Sequence, residues 1–154
     1  MTMKGKMFLT DITRYNDVET GRLVLTVGEK TKSWYVSWLT NLRIQWKNVN
    51  HLPAGCYQVV IRPNRLWRQC PRIKVTRLVG MWIEPFDAEC WHDMGVNLYL
   101  LDKPEHFRPL GRSDYQQFVD ALTKFDITEL TVDSHVKIVH GNKFHQESDE
   151  EFWD

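Results

Sequence analysis

A long stretch without any acidic side chain is the feature that most constrains this chain. Residues 30–83 carry ten Lys and Arg residues and no Asp or Glu, whereas residues 84–154 carry six basic and sixteen acidic residues. The first 29 residues hold four of each sign, so the net charge runs 0, +10 and −10 along a chain that is neutral as a whole. A fold must therefore either bring the two charged blocks together or hold the positive block against an anionic ligand.

Length and composition predict one globular domain. With 154 residues and 42% hydrophobic content, we assign residues 1–145 to a single domain and residues 146–154 to an acidic, flexible tail. No apolar run reaches the length of about 18 residues that spans a bilayer, and the N-terminus lacks the apolar core of a signal peptide. We therefore expect a soluble, cytoplasmic protein whose three cysteines are reduced thiols.

Runs of β-branched and aliphatic residues bounded by turn residues predict five strands. Their predicted bounds are Gly21–Val27, Cys56–Arg62, Arg72–Val79, Val96–Leu101 and His135–Phe144.

Helical spacing predicts two or three short helices beside these strands. The clearest has its apolar stripe over Tyr115–Phe125, and at its start Ser113 and Gln116 have the spacing of a capping box. Shorter helices are predicted for Asp11–Glu19 and for Phe86–Asp93. Residues 31–47 fit both periodicities, and we favour a helix there over a strand.

Basic and aromatic side chains alternate through the acid-free block in a way typical of nucleic-acid binding. Lys and Arg attract phosphates, and aromatic rings and guanidinium groups stack on unpaired bases. This mixture favours single-stranded RNA or DNA, or a flipped-out base, over a duplex groove. The predicted contact residues are Lys30, Lys32, Trp34, Arg43, Trp46, Lys47, Arg65, Trp67, Arg68, Arg72 and Lys74.

A structural alternative explains the same pattern without a ligand. In it, the tryptophans form the core and the basic block neutralises the acidic C-terminal third across the fold. The segment Pro63–Pro71 resists this alternative, because the tip of a loop between two prolines has little core to fill.

Few patterns in the chain point to catalysis. No nucleophile elbow, phosphate-binding glycine loop or zinc-ligand spacing is present, so we predict no cofactor and no metal site. Carboxylate pairs at helical spacing, such as Glu84 with Asp87 and Glu89 with Asp93, are interpreted as solvated helix faces.

The order of these segments resembles the ASCH family, a branch of the PUA-like β-barrels. The resemblance rests on Asp17–Arg22, on Leu52–Val60, on Arg72–Arg77 with Phe86–Glu89 and Gly95, and on Tyr115–Phe125 with Val136–Phe144. It implies an α+β fold, a PUA-like mixed β-barrel with two or three short flanking helices.

Some ASCH proteins are amidohydrolases that act on acetylated cytidine with a lysine, a threonine and a glutamate. In one register Leu23 takes the lysine position and Thr26 remains; in the other, Lys30 and Thr31 match. Trp91 or Asp93 falls near the glutamate position. The catalytic set is thus only partly matched, which favours a binding module over an enzyme.

Three functions follow as hypotheses. The first is a nucleic-acid or modified-nucleotide binding module that uses the basic, tryptophan-rich face. The second is a protein-interaction module, such as a phage-type inhibitor of a host nucleic-acid enzyme, and the third an ASCH-type amidohydrolase or nuclease.

Overall fold

The structure, a computed structural model, describes residues 3–39, 42–44, 47–49, 52–77, 80–86, 97–103, 108 and 110–143. For residues 39, 42–44 and 47–49 it describes the backbone alone. Its elements are β1 (Lys6–Arg14), β2 (Val18–Val27), β3 (Lys30–Leu39), β4 (Leu42–Ile44), β5 (Lys47–Val49), β6 (Gly55–Arg62), β7 (Cys70–Lys74), β8 (Gly80–Pro85), β9 (Asn97–Leu101), α1 (Arg112–Lys124), β10 (Glu129–Val132) and β11 (Val136–Ile138).

Eight strands close into a β-barrel. They follow the order β10-β6-β7-β8-β9-β3-β2-β1, and β1 then pairs with β10 to complete the ring. Two contacts are parallel, β1 with β10 and β8 with β9, and the other neighbours in the ring are antiparallel. Strand β11 extends the far half of β1, and β4 and β5 form a separate hairpin. The predicted barrel is confirmed.

Alternation of side chains, rather than helical spacing, decides the structure of residues 31–39. Strand β3 pairs with β2 along its whole length, from Val18 opposite Leu39 to Val27 opposite Lys30. Trp34, Val36 and Trp38 are buried in the barrel core. The predicted helix over 31–47 is therefore wrong, because three inward-facing residues at every second position fit a strand that closes a core.

The predicted helix at Asp11–Glu19 is also wrong. Strand β1 continues to Arg14, and Tyr15 N donates to Val18 O across a tight turn. A bulge between Thr10 and Thr13, with Asp11 at φ 53°, shifts the register so that Ile12 is buried. The apolar residues of this segment are thus divided between two strands of the same sheet.

The other predicted elements are confirmed in whole or in part. Strands β6 and β9 match their predictions within a residue or two, while β7 ends at Lys74 and β8 begins at Gly80. The final strand is shorter than predicted, at Val136–Ile138. In the described part of the chain α1 is the one helix, and the predicted helix beyond Phe86 and the acidic tail at 146–154 lie outside the described residues.

Helix α1 closes one end of the barrel. It connects the end of β9 to the start of β10, and the pairings place the starts of β1, β3 and β7 at that same end. Tyr115, Phe118, Val119 and Leu122 on its buried face join the barrel core. We call this the helix end, and the other the opposite end.

The start of α1 differs from its predicted cap. Gly111 is the N-cap residue, and no side chain caps the helix. Gln116 Nε2 instead donates a hydrogen bond to Asp120 Oδ1, one turn further along the helix. The capping-box prediction is wrong because the helix begins one residue before Ser113, which places that serine inside the first turn.

A buried polar group occupies the opposite end of the barrel. Glu19, only 1% exposed, receives Arg14 Nε at 2.7 Å and Trp38 Nε1 at 2.7 Å on its two carboxylate oxygens. Two partners offset much of the cost of burying this charge.

No described helix is long and apolar enough to cross a membrane.

Candidate nucleic-acid interface

The barrel divides the predicted contact residues between its two ends. Lys30 and Lys32, at the start of β3, share the helix end with Arg65, Trp67 and Arg68, in the loop between β6 and β7. At the opposite end stand Lys74 and the β4–β5 hairpin, on which Arg43 and Lys47 are located. Arg72 lies in mid-strand on β7, and Trp46 lies outside the described residues. The described members of the predicted set are therefore divided between the two ends of the barrel.

Trp34 is a core residue rather than an open stacking surface. Its side chain is 7% exposed and packs edge-on against Phe118, with ring centroids 5.2 Å apart. The Lys32 ammonium lies 5.2 Å from the Trp34 ring centroid. The sequence-based role of Trp34 as a base platform is wrong, because β-strand alternation turns this ring into the barrel.

Trp67 is half-buried between the loop and helix α1. Its ring lies 4.7 Å from that of Tyr115, and the Arg112 guanidinium is 5.8 Å from its centroid. Arg112 is exposed and was not predicted, since it falls outside the acid-free block. No motif or charge pattern in the sequence around Arg112 indicated that it belongs to the site.

The loop that carries Arg65 and Arg68 is held in shape by one side chain, Asn64. The Asn64 Oδ1 accepts hydrogen bonds from Leu66 N at 3.0 Å and Trp67 N at 2.8 Å, and Asn64 N donates to Trp67 O at 2.9 Å. Residues 63–69, here named the basic loop, therefore form a closed turn of the kind that Asn favours.

Asn64 also ties the basic loop to the barrel wall. Its Nδ2 donates to Glu84 Oε1 at 2.7 Å. Glu84 lies on β8 and is 4% exposed, so its interpretation as part of a solvated helix face is wrong. Burial raises the pKa of Glu84, and the bond from Asn64 offsets part of that rise.

Two more buried groups lie beside Glu84. Tyr115 Oη donates to Ile83 O at 2.7 Å, and Cys70 Sγ lies 3.3 Å from the same hydroxyl. Burial raises the pKa of the Cys70 thiol to about 12 and raises that of Tyr115 as well. Both groups stay protonated at neutral pH, so neither is a nucleophile there.

The described cations of the acid-free block are not neutralised by described carboxylates. Arg14 and Glu19 form an ion pair, and both of these residues lie outside the block. Lys30, Lys32, Arg65, Arg68 and Lys74 are all exposed. Within the described residues, the alternative in which the acidic third neutralises the basic block finds no ion pair to support it.

Among the described residues of the enzymatic hypothesis, Lys30 and Thr31 do not share a face of β3. Thr26 and Thr31 lie opposite each other on β2 and β3. Lys30 points to the other side of the strand from Thr31, because neighbouring side chains alternate. Asp93 and Trp91 lie outside the described residues. Among the described residues, no group of three His, Cys, Asp or Glu side chains is placed to hold a metal ion.

Comparisons with models of protein families, with curated proteins and with solved structures found no match to this chain.

Proposed function

We propose that the protein binds single-stranded nucleic acid at the helix end of the barrel, with the basic loop as the phosphate contact. The observation that carries the proposal is an ordered loop that presents Arg65 and Arg68 to solvent, neither paired with a described carboxylate. An arginine on a preformed loop contacts phosphate without the cost of ordering the backbone at the time of binding.

Arg112 extends this surface onto helix α1. Its guanidinium lies above Trp67, beside the basic loop, and it is exposed. Further along the helix, Asp114 and Asp120 are exposed acids that repel a phosphate. The strand is therefore expected to follow the loop side of α1 rather than to cross the helix.

The test is a paired set of charge-removal variants. Arg65→Ala with Arg68→Ala removes two cations from the basic loop. Arg77, just after β7, and Lys137, on β11 beside the end of β1, are exposed cations of the opposite end, and Arg77→Ala with Lys137→Ala removes both. The affinity of each for labelled single-stranded RNA and DNA is measured at several salt concentrations. Weaker binding by the first pair alone supports the proposal, and equal weakening by both pairs contradicts it.

A second candidate function follows from Leu66. It is 64% exposed at the tip of the basic loop, between two arginines. An apolar tip flanked by cations also suits a protein partner with an acidic rim, as in the protein-interaction hypothesis. Leu66→Ser would then abolish partner binding in a pull-down, while affinity for oligonucleotides would stay unchanged.

We further propose that the barrel is of the PUA-like, ASCH-type kind. The support is the order of its parts: the turn Leu52–Gly55 leads into β6, and α1 passes directly into a strand that closes the ring. Catalysis on acetylated cytidine remains a hypothesis within this assignment. Turnover of that nucleoside, abolished by Lys30→Ala, would establish it.

A further inference from the structure

Three side chains share one patch on the outer face of the barrel, beside the basic loop. Arg72 on β7 lies directly opposite Trp82 on β8, and Glu84 lies two residues further along β8. Residues two apart on a strand face the same side, roughly 6 to 7 Å apart. The patch therefore offers a cation, an indole ring and a carboxyl group within the span of one nucleobase.

The Arg72 side chain lies close to the sheet because the neighbouring residue, Gly80, has no side chain. Gly80, on the same face of β8, leaves the space in which the guanidinium lies, since a Cβ there would collide with Arg72 Nε. The guanidinium carbon is 5.5 Å from the Trp82 ring centroid. Arg72 Nε is buried, and no described residue accepts its hydrogen bond.

Glu84 is the second side chain in this patch with an unused polar atom. Its Oε1 accepts the bond from Asn64, whereas its Oε2 is buried without a hydrogen-bond partner among the described residues. A buried acceptor without a donor destabilises a fold, and a ligand that supplies the donor removes that cost. Arg72 Nε and Glu84 Oε2 are the two buried side-chain atoms without a hydrogen-bond partner in the described part of the chain, and both belong to residues of this patch.

We propose that the Arg72–Trp82–Glu84 patch is a base-recognition site that selects guanine. The proposal rests on the proposed function for its ligand class, a nucleotide, and adds which base is read. Trp82 offers its half-buried ring for stacking, Glu84 Oε2 accepts N–H groups from the base edge, and Arg72 donates to the base or its phosphate.

Guanine is favoured by the pattern of donors that Glu84 requires. Guanine presents two neighbouring donors, the ring N1–H and the exocyclic amino group, on one edge. Adenine and cytosine each place an acceptor nitrogen next to their amino group, and uracil flanks its single N–H with carbonyl oxygens. A carboxylate meets repulsion from each of those acceptors, which is the kind of mismatch that polar sites reject strongly.

The patch is connected to the basic loop through a shared carboxyl group. Asn64 occupies one Glu84 oxygen and shapes the loop that carries Arg65 and Arg68. A base on Trp82 would thus lie beside the carboxyl group that anchors the basic loop, whose arginines we propose as the phosphate contacts of the same strand.

The experiment titrates the full chain with GMP, AMP, CMP and UMP by calorimetry. We expect GMP to bind at least about tenfold more tightly than the other three, and Glu84→Gln to remove that preference. Trp82→Leu is expected to weaken binding of all four. Circular dichroism confirms that each variant is folded, and Glu129→Gln, at an exposed glutamate on β10, is the matched control that should leave the preference unchanged.

Equal affinity for the four nucleotides, an absence of binding by the folded protein, or a guanine preference that survives Glu84→Gln would overturn the proposal. Its failure is distinguishable from that of the proposed function. Salt-dependent oligonucleotide binding through Arg65 and Arg68 without base preference would refute the base-recognition site and leave the proposed strand binding intact. GMP selectivity without oligonucleotide binding would remove the strand-binding function and leave the base site.

Discussion

Asn64 and Glu84 are joined by a 2.7 Å hydrogen bond that links the basic loop to the barrel wall. The same amide side chain accepts two backbone N–H groups of the loop, so one residue serves both as the turn-forming element and as the anchor. The orientation of Arg65 and Arg68 therefore depends on a contact that neither arginine makes.

Replacing the anchor should loosen the loop. Asn64→Ala leaves both Glu84 oxygens without a described partner and exposes two backbone donors, so the free energy of unfolding should fall by about 1 to 3 kcal/mol. Urea denaturation measures this loss. Affinity for single-stranded oligonucleotides should fall in parallel, and an Asn64→Ala variant with unchanged stability would show that the bond to Glu84 does not hold the loop.

The stability of the protein should depend on pH through Glu84. Its pKa is raised above the ordinary value of 4.5 by burial, so the folded state binds this proton more tightly than the unfolded chain does. The resulting stabilisation is complete below pH 4.5 and is lost as the pH rises through the folded-state pKa. Glu84→Gln cannot titrate, so its unfolding free energy should vary less with pH than that of the wild type, measured in urea from about pH 4 to about pH 8. The same dependence of unfolding free energy on pH in the wild type and in Glu84→Gln would show that Glu84 is not the titrating group.

Alanine substitutions at Trp34 and Trp67 should distinguish a core tryptophan from one at the proposed binding surface. Trp34 lies in the barrel core, so Trp34→Ala should cost about 3 to 5 kcal/mol of stability. Half-buried Trp67 packs on Tyr115, and Trp67→Ala should cost less, although the same variant should weaken oligonucleotide binding. Thermal melts and titrations of both variants give the comparison, and a larger stability loss at Trp67 would count against the placement of Trp34.

The half-buried ion pair at the opposite end should be sensitive to removal of Glu19. Glu19→Ala leaves the buried Trp38 indole N–H without its acceptor and Arg14 without its partner, so the free energy of unfolding should fall by about 1 to 3 kcal/mol. Oligonucleotide affinity of the folded fraction should be unchanged, since the basic loop lies at the other end. Denaturant midpoints test the first part, and a loss near zero would contradict the structural role of Glu19.

The sequence predicted the elements that have a clear local signal. Cys56–Arg62 and Val96–Leu101 are bounded by turn residues and became β6 and β9 almost as predicted. The helix at Tyr115–Phe125 followed from a wide apolar stripe. The helix prediction is wrong for residues 31–39 because their Trp, Tyr and Val side chains fit both the helical and the strand periodicity, and only pairing with β2 decides between the two.

The positive charge of the candidate site could be predicted from the sequence, but the contacts that shape the site could not. Arg65 and Arg68 stood out as cations in a loop between prolines, and the structure places both on an exposed, ordered turn. Glu84 lies 20 residues from Asn64 in the chain, so nothing local indicated that these two side chains meet. The same long-range pairing of strands separated Arg43 and Lys47 from the basic loop.

The salt dependence of single-strand binding by the wild type and by the Arg65→Ala/Arg68→Ala variant tests the proposed role of the basic loop most directly. Each phosphate contact on a single strand contributes about 0.7 to the slope of log affinity against log salt concentration, so the variant should show a slope smaller by about 1.4. The Arg77→Ala/Lys137→Ala control should keep the wild-type slope. Equal slopes for the wild type and the loop variant would contradict the proposal that the basic loop contacts the phosphates.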